Sequence, residues 1–107
     1  MVVFTNQKAL EEKEPAAGFK ARFIHTDNMT LAYWDIRAGA VLPAHAHDHE
    51  QVINMVAGTF SLTVAGETRV LEQGDIVVIP SNIPHSGQAV SACRIMDVFF
   101  PVRKDYQ

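Results

Sequence analysis

From residue 19 onward, apolar and polar residues alternate in short runs, which is the pattern of half-buried β-strands. Gly, Pro, Asn and Asp separate the runs, and these residue types favour turns. The pattern predicts seven strands, at residues 19–26, 30–37, 52–57, 59–65, 68–71, 76–79 and 91–100. Such short, evenly spaced strands favour a closed barrel or a double-sheet jelly roll, because a small β domain must dispose of its strand edges.

The N-terminal residues follow a different pattern. Residues 8–14 are polar and compatible with a helix, but Pro15 ends the segment, so one or two helical turns and a solvated loop are both open. The apolar residues 2–4 could add an edge strand, including one to a neighbouring subunit. We therefore expect one domain with a barrel core at 19–100, an N-terminal extension at 1–18 and a tail at 101–107.

Composition and charge narrow the functional classes. The chain has 107 residues, 48% of them hydrophobic and 20% charged, which is ordinary for one globular domain. The net charge of −3 and the scattered basic residues argue against nucleic acid as a partner. There is no apolar run of the roughly 18 residues that span a bilayer, no visible secretory signal, and a single cysteine, Cys93. These features favour a soluble cytoplasmic protein without a membrane partner.

A cluster of histidines carries the strongest chemical signal. In an extended segment side chains alternate, so His45 and His47 share a face, and Gln51 can return to it. His85 follows a separate strand and a Pro-rich turn, and it is the obvious distant ligand. Neutral imidazole is the commonest metal ligand in proteins. The pattern predicts a divalent metal site, while His49 is either an outer contact to metal or substrate or a solvated residue.

The spacing of these residues resembles the cupin family. Two motifs carry the resemblance: Gly39, five residues, His45-Ala46-His47, three residues, Gln51, six residues and Gly58; then Gly74, five residues, Pro80-Ser81-Asn82, two residues and His85. The resemblance implies an all-β, single-domain cupin jelly-roll barrel (a double-stranded β-helix) with its metal inside. His45, His47, Gln51 and His85 would be the ligands.

The chain departs from the family pattern at the metal site. Gln51 stands where the first motif usually has glutamate, Asn82 replaces a turn glycine, and Ala89 replaces an asparagine. A neutral donor set leaves a divalent ion its full charge, which makes it a stronger Lewis acid and an attractor of anions. Imidazole-rich ligation suits a transition metal, and the expected cofactor is one ion of Zn, Ni, Fe, Mn or Cu.

One acidic residue interrupts the last apolar strand. Alternation places Asp97 on the same face as Cys93, Ile95 and Phe99, which is the core face. A buried carboxylate needs a partner or a wet cavity. Two interpretations follow: an ion pair with an arginine, or an acid/base group near the metal. The candidate arginines are Arg22, Arg37 and Arg94.

The tail from Asp97 to Tyr106, together with Gln51 and the His-x-His-x-His-Glu-Gln string at 45–51, resembles the pectin-degradation (KdgF-type) cupins. Those proteins convert 4,5-unsaturated monouronates into linear keto-uronates. The resemblance implies that Asp97 relays a proton, Phe99 shapes the pocket and Arg103 pairs with the uronate carboxylate of a small anionic sugar acid. One of Tyr33 and Trp34 should face the barrel interior, and Tyr33 is a candidate substrate contact.

Two other functions remain open at this point. The first is a metal-dependent dioxygenase with Fe, Cu or Ni, since other three-histidine cupins are oxygenases. The second is a non-catalytic cupin that binds or senses a small ligand. The favoured expectation is a metal-dependent isomerase- or lyase-like enzyme. We also expect a homodimer, because the apolar residues 2–4 are available for burial between subunits.

Overall fold

Ten antiparallel strands form two sheets that face each other across one core. The structure, a computed structural model, describes all of residues 1–107. The six-stranded sheet has the order β1-β2-β3-β10-β5-β8, and the four-stranded sheet has the order β4-β9-β6-β7. The strands are β1 Glu12–Ala16, β2 Phe19–His25, β3 Thr30–Ile36, β4 Val41–His45, β5 Glu50–Ala57, β6 Phe60–Val64, β7 Glu67–Leu71, β8 Ile76–Ile79, β9 His85–Ala89 and β10 Cys93–Phe100. The predicted all-β class and double-sheet jelly-roll architecture are confirmed.

All seven predicted strands are present, and three further strands were not predicted. The missed strands are β1, β4 and β9. β1 and β4 each contain a proline, and each lies at the edge of its sheet, where a missing N–H is tolerated. β9 carries Ser86, Gly87 and Gln88 between its end residues, so it lacks apolar alternation.

The N-terminal extension contains a strand, β1, that was not predicted. A single 3₁₀ turn at Gln7–Ala9 precedes β1, which pairs with β2. The alternative of one or two helical turns holds only for the start of the 8–14 segment, because residues 12–14 belong to β1, and the solvated loop is wrong there. Residues 2–4 form no strand and are exposed in this chain. The two helices are single 3₁₀ turns, and no helix could cross a membrane.

The core lies between the inner faces of the two sheets. Seventeen buried apolar residues form one cluster, with Phe19, Trp34, Phe60 and Phe99 among its large members. On β10 the residues alternate as predicted, and Cys93, Ile95, Asp97 and Phe99 are the buried set. Asp97 is thus a carboxyl group within an apolar layer, which makes its surroundings the first place to look for chemistry.

Gly58, at the end of the first motif, lies where the end of β5 closely approaches the start of β10. Its φ is +82°, and a Cβ there would overlap the Ala92 carbonyl oxygen and lie 2.7 Å from Cys93 Cβ. Gly39 has a similar φ of +83° but open space around it. We expect Gly39→Ala to cost about 1 kcal/mol of unfolding free energy from backbone strain alone. Gly58→Ala should cost about 3 kcal/mol or more, because steric overlap adds to the strain.

Urea denaturation of the two variants measures the difference directly. Equal losses of stability would contradict the close approach at Gly58.

Candidate metal centre and cavity

Strand pairing brings three histidines to one point of the barrel. His45 ends β4 and lies directly opposite His85, the first residue of β9. His47 comes from the loop before β5, and its ring centroid is 5.0 Å from that of His85. One ring nitrogen from each histidine lies within 4.8 Å of the others. The cluster therefore depends on a pairing between strands that are distant in sequence.

Main-chain carbonyls fix the tautomer of each imidazole. The Nδ1 atoms of His45, His47 and His85 lie 2.9, 3.0 and 2.9 Å from the carbonyl oxygens of Pro43, His49 and Ile83. A carbonyl oxygen can only accept a hydrogen bond, so each Nδ1 must donate. Each neutral ring then presents an unprotonated Nε2, which is the arrangement that orients metal-binding histidines.

Burial favours the neutral form of two of these rings, those of His47 and His85. Desolvation lowers the pKa of His47 and of His85 below the ordinary value, and nearby positive charges, including Arg103, lower both further. Main-chain hydrogen bonds from the two rings oppose part of this effect. A neutral imidazole at physiological pH is ready to donate its lone pair to a cation.

The surroundings of two Nε2 atoms, those of His85 and His47, are suited to a metal cation. His85 Nε2 is buried and has no hydrogen-bond partner. His47 Nε2 lies 3.2 Å from Gln51 Oε1. With Nδ1 of His47 donating to a carbonyl, this contact sets two lone pairs against each other in the neutral ring. A cation between these atoms would satisfy His47, His85 and Gln51 together, so the donor set suits the divalent transition metal that the sequence predicts.

Gln51 links the histidines to the buried carboxyl group. Its Nε2 donates to Asp97 Oδ2 at 3.0 Å, while its Oε1 faces His47. Trp34 Nε1 donates to the same Asp97 oxygen, also at 3.0 Å. The other oxygen, Asp97 Oδ1, is buried without a hydrogen-bond partner. The amide thus orients its carbonyl toward the histidines and its donor toward Asp97.

The environment of Asp97 favours its neutral form. Burial raises the pKa of this carboxyl from 3.8 to about 7, although the Trp34 and Gln51 hydrogen bonds and the Arg103 charge act in the opposite direction. None of the three candidate arginines forms an ion pair with it: Arg22 pairs with Glu12, Arg94 pairs with Asp35, and Arg37 is exposed. The interpretation of Asp97 as half of an ion pair is therefore wrong.

Arg103 is a buried cation held by three side chains. Its Nε and Nη2 donate to the two carboxylate oxygens of Asp105 at 2.9 and 2.7 Å. Its guanidinium carbon lies 4.7 Å from the Phe99 ring centroid and 4.2 Å from that of Tyr106. Hydrogen bonds from Arg103 lower the pKa of the Asp105 carboxyl. Cation–π contacts and a bidentate ion pair both restrict the guanidinium to one orientation.

These groups line one cavity of about 370 Å³ between the sheets. The volume lies in the range of small-molecule sites. His45, His47, Gln51, His85, Asp97, Phe99 and Arg103 all contribute to its wall. Apolar side chains form much of the remaining wall, including Phe60, Leu62 and Ile95. Acid/base, cationic and metal-binding groups are thus collected in a largely apolar space.

Tyr33 does not reach this cavity. It lies on the outer face of the six-stranded sheet, and its neighbour Trp34 faces inward and lines the cavity. The expectation that Tyr33 contacts a substrate in the barrel is therefore incorrect, because strand alternation allows only one of the pair inside. His49 also lies outside the cavity wall, but its carbonyl oxygen accepts the Nδ1 hydrogen bond of His47.

Two residues of the site, Asp105 and Tyr106, were not predicted from the sequence. Tyr106 lines the cavity and stacks on Phe23 with centroids 4.6 Å apart. Both residues belong to the short 3₁₀ turn Lys104–Tyr106. The available signal was the opposite charge of Arg103 and Asp105 two positions apart, which alone is too common to identify a site.

Comparisons with known proteins agree with this architecture. A sequence profile of the cupin domain matches residues 32–99. The chain is 29% identical to the pectin degradation protein KdgF of Dickeya dadantii (strain 3937) over 97 residues, 88% of each chain.

Two solved structures extend the likeness to the whole chain. The structure of KdgF from Halomonas sp. superposes with a TM-score of 0.93 at 26% identity and covers 100% of both chains. An RmlC-like cupin from Shewanella frigidimarina NCIMB 400 gives the same score and identity over 100% of this chain and 97% of that one.

Removal of one imidazole tests the metal centre. We expect His85→Ala to raise the Kd for Zn²⁺ by about 100-fold or more, since a lost ligand costs more than a lost outer contact. His25→Ala is the matched control, because His25 lies outside the cluster and bonds Thr30 Oγ1. Competition with a chromophoric chelator measures both affinities. Unchanged Zn²⁺ affinity in His85→Ala would contradict the site.

The buried carboxyl should leave a pH signature in the stability of the metal-free protein. The unfolded chain releases the Asp97 proton near pH 3.8, whereas the folded protein keeps it until about pH 7. The neutral form of Asp97 therefore stabilises the fold at low pH, and this contribution is lost as pH rises through the folded pKa. Between pH 3.8 and about pH 7, the unfolding free energy of Asp97→Asn should therefore rise relative to that of the wild type, by at most about 1.4 kcal/mol per pH unit.

Unfolding free energies of both proteins, measured by denaturant titration at several pH values, give the difference curve. Asp27→Asn, in the exposed turn after β2, controls for the loss of one negative charge. A difference between wild type and Asp97→Asn that does not vary with pH would refute the neutral buried carboxyl.

Proposed function

The chain belongs to the cupin domain family, and on that basis we propose that it is a metal-dependent enzyme that ketonises 4,5-unsaturated monouronates. The product would be the linear keto-uronate. The observation that carries the proposal is Asp97, a buried carboxyl with a pKa of about 7 in the same cavity as three histidines and a buried arginine. The names of the similar proteins from Dickeya dadantii and Halomonas sp. point in the same direction.

The reaction is an isomerisation that needs a proton donor and no oxidant. Ring opening breaks the bond between the anomeric carbon and the ring oxygen. The ring oxygen gains a proton and becomes the enol hydroxyl, while the anomeric hydroxyl loses its proton as the carbonyl forms. The enol at C5 then becomes a ketone when C4 gains a proton and the enol hydroxyl loses one. Atoms and electrons balance within the substrate and the proton carrier.

Asp97 is suited to the proton transfer at C4. General acid catalysis is most effective when the pKa of the donor is close to the working pH. Trp34 and Gln51 both donate to Oδ2, which holds the carboxyl in place and leaves Oδ1 without a protein partner. We assign the proton that reaches C4 to this carboxyl group.

His45, His47, His85 and Gln51 would hold the divalent ion. When bound, such an ion supplies a Lewis acid that polarises substrate oxygens. All four donors are neutral, so the site adds no negative charge against an anionic substrate. The Gln51 amide also keeps its N–H on Asp97, which ties the position of the acid to that of the metal ligands.

Arg103 would bind the uronate carboxylate. The guanidinium is buried, and Asp105 and the two aromatic rings hold it in one orientation. Phe99 packs beneath it and beside His47, with a centroid distance of 5.9 Å, so it shapes the wall between the anion and metal subsites. A preorganised cation orients a charged ligand without rearrangement, which lowers the entropic cost of binding.

Turnover of freshly lyase-generated unsaturated monouronates tests the proposal through the ultraviolet absorbance of the enol ether. We expect Zn²⁺-loaded protein to accelerate the loss of absorbance and a chelator to abolish the acceleration. Asp97→Asn should lower kcat by about 10²- to 10⁴-fold, the usual size of a general-acid contribution, while its Zn²⁺ content stays normal.

Arg103→Gln should raise KM more than it lowers kcat, because it removes a carboxylate contact. Arg69→Gln removes an exposed arginine elsewhere and should leave both constants unchanged. Full turnover in Asp97→Asn would contradict the role of this acid. No acceleration by the wild-type protein with any of the five metals would contradict the ketonisation and favour the dioxygenase or ligand-binding alternatives.

A further inference from the structure

Two loops meet beside the three histidines. The histidine loop, residues 46–49, joins β4 to β5 and carries His47. The proline turn, residues 80–84, joins β8 to β9 and leads directly into His85. The pairing of β4 with β9 fixes the main chain of His45 and His85. His47 is therefore the only one of the three imidazoles that no strand holds in place.

Two hydrogen bonds from the proline turn reach the histidine loop. The main-chain N–H of Asn82 donates to the carbonyl oxygen of His47 at 2.7 Å. The hydroxyl of Ser81 donates to the carbonyl oxygen of Asp48 at 2.8 Å. The next carbonyl oxygen, that of His49, accepts from the ring of His47 at 3.0 Å. Three consecutive carbonyl groups are thus bonded, which restricts both the main chain and the ring of His47.

The side chain of Asn82 completes this arrangement. Its Nδ2 donates to Ser81 Oγ at 3.1 Å, because the Ser81 hydroxyl gives its one hydrogen to a carbonyl and keeps only lone pairs for Asn82. A hydroxyl that accepts one hydrogen bond is a stronger donor of another. Asn82 has a φ of +64°, a left-handed conformation that asparagine tolerates. Glycine could adopt the same backbone but would leave the hydroxyl without this donor.

We propose that Ser81 and Asn82 are positioning residues for the metal: they hold the imidazole of His47 in place beside that of His85 and so raise the affinity for a divalent ion. The inference rests on the metal centre of the proposed function. Neither Ser81 nor Asn82 lines the cavity, so each acts through the main chain of the histidine loop. A ligand that is already held in its binding geometry loses less conformational freedom when the ion binds.

The Kd for Zn²⁺, measured by competition with a chromophoric chelator, tests the proposal without an activity assay. Ser81→Ala removes the bond to Asp48 and should raise this Kd by about 10-fold, the lower end of the effect of groups that orient metal ligands. Ser81 is exposed, so the variant should fold. Ser81→Thr keeps the hydroxyl and should restore the wild-type Kd.

Ser91→Ala is the matched control. The Ser91 hydroxyl also bonds the main chain, since it accepts from the N–H of Thr59 at 3.0 Å, but Ser91 lies in the turn between β9 and β10. Both alanine variants should lower the unfolding free energy of the metal-free protein by a similar amount, measured by urea denaturation. Only Ser81→Ala should weaken Zn²⁺ binding.

A second variant tests the contribution of Asn82. Asn82→Gly keeps the left-handed backbone and removes only the bond to Ser81, so the Kd for Zn²⁺ should rise by about 3-fold. Because Asn82 acts through the Ser81 hydroxyl, the double variant should have the same Kd as Ser81→Ala alone. Multiplied effects in the double variant would overturn the link from Asn82 to Ser81.

The outcomes separate this inference from the metal centre on which it rests. If the wild type binds Zn²⁺ and Ser81→Ala binds it equally well, the positioning role is wrong and the metal centre stands. Equal losses of Zn²⁺ affinity in Ser81→Ala and Ser91→Ala would indicate a general effect of stability and would also overturn the positioning role. A wild type that binds no Zn²⁺ would overturn the metal centre itself and this inference with it.

Discussion

The candidate site depends on three hydrogen bonds from imidazole Nδ1 atoms to main-chain carbonyls. These bonds determine which nitrogen of His45, His47 and His85 carries the proton, and so direct three unprotonated Nε2 atoms to one point. The acceptors are Pro43, His49 and Ile83, each two residues from its histidine. Local chain geometry thus prepares each ligand, and the β4–β9 pairing brings two of them together.

The second constraint is the burial of Asp97 without a cationic partner. An ionised carboxyl in that position would be expensive, so the fold raises its pKa and two neutral donors hold one of its oxygens. Gln51 performs two tasks in this arrangement. A glutamate at this position would repel the Asp97 carboxyl and place a negative charge among the metal ligands. The neutral amide is therefore consistent with a nearby acid that must keep its proton.

Local patterns predicted much of this architecture. Alternation on β10 placed Asp97 and Phe99 on the inner face, and the His45, His47, Gln51 spacing gave one side of the metal cluster. The strands β4 and β9 were not predictable in this way, because Pro43 and Gly87 belong to residue types that are rare in strands. Alternation could not choose between Tyr33 and Trp34 either, since the phase of β3 depends on its neighbours. Asp105 and Tyr106 contact Arg103 from the adjacent 3₁₀ turn, and the position of that turn depends on the packing of Tyr106 against Phe23, which no periodicity of the sequence indicates.

The number of imidazoles bound to one metal ion decides whether the three histidines form a metal centre. X-ray absorption fine structure of the Zn²⁺-loaded protein counts these ligands from the scattering of their rings. We expect three imidazole nitrogens at about 2.0–2.1 Å, with the remaining positions filled by oxygen donors and no sulfur. A spectrum with fewer than three imidazoles, or with a sulfur ligand, would contradict the metal centre on which the proposed chemistry rests.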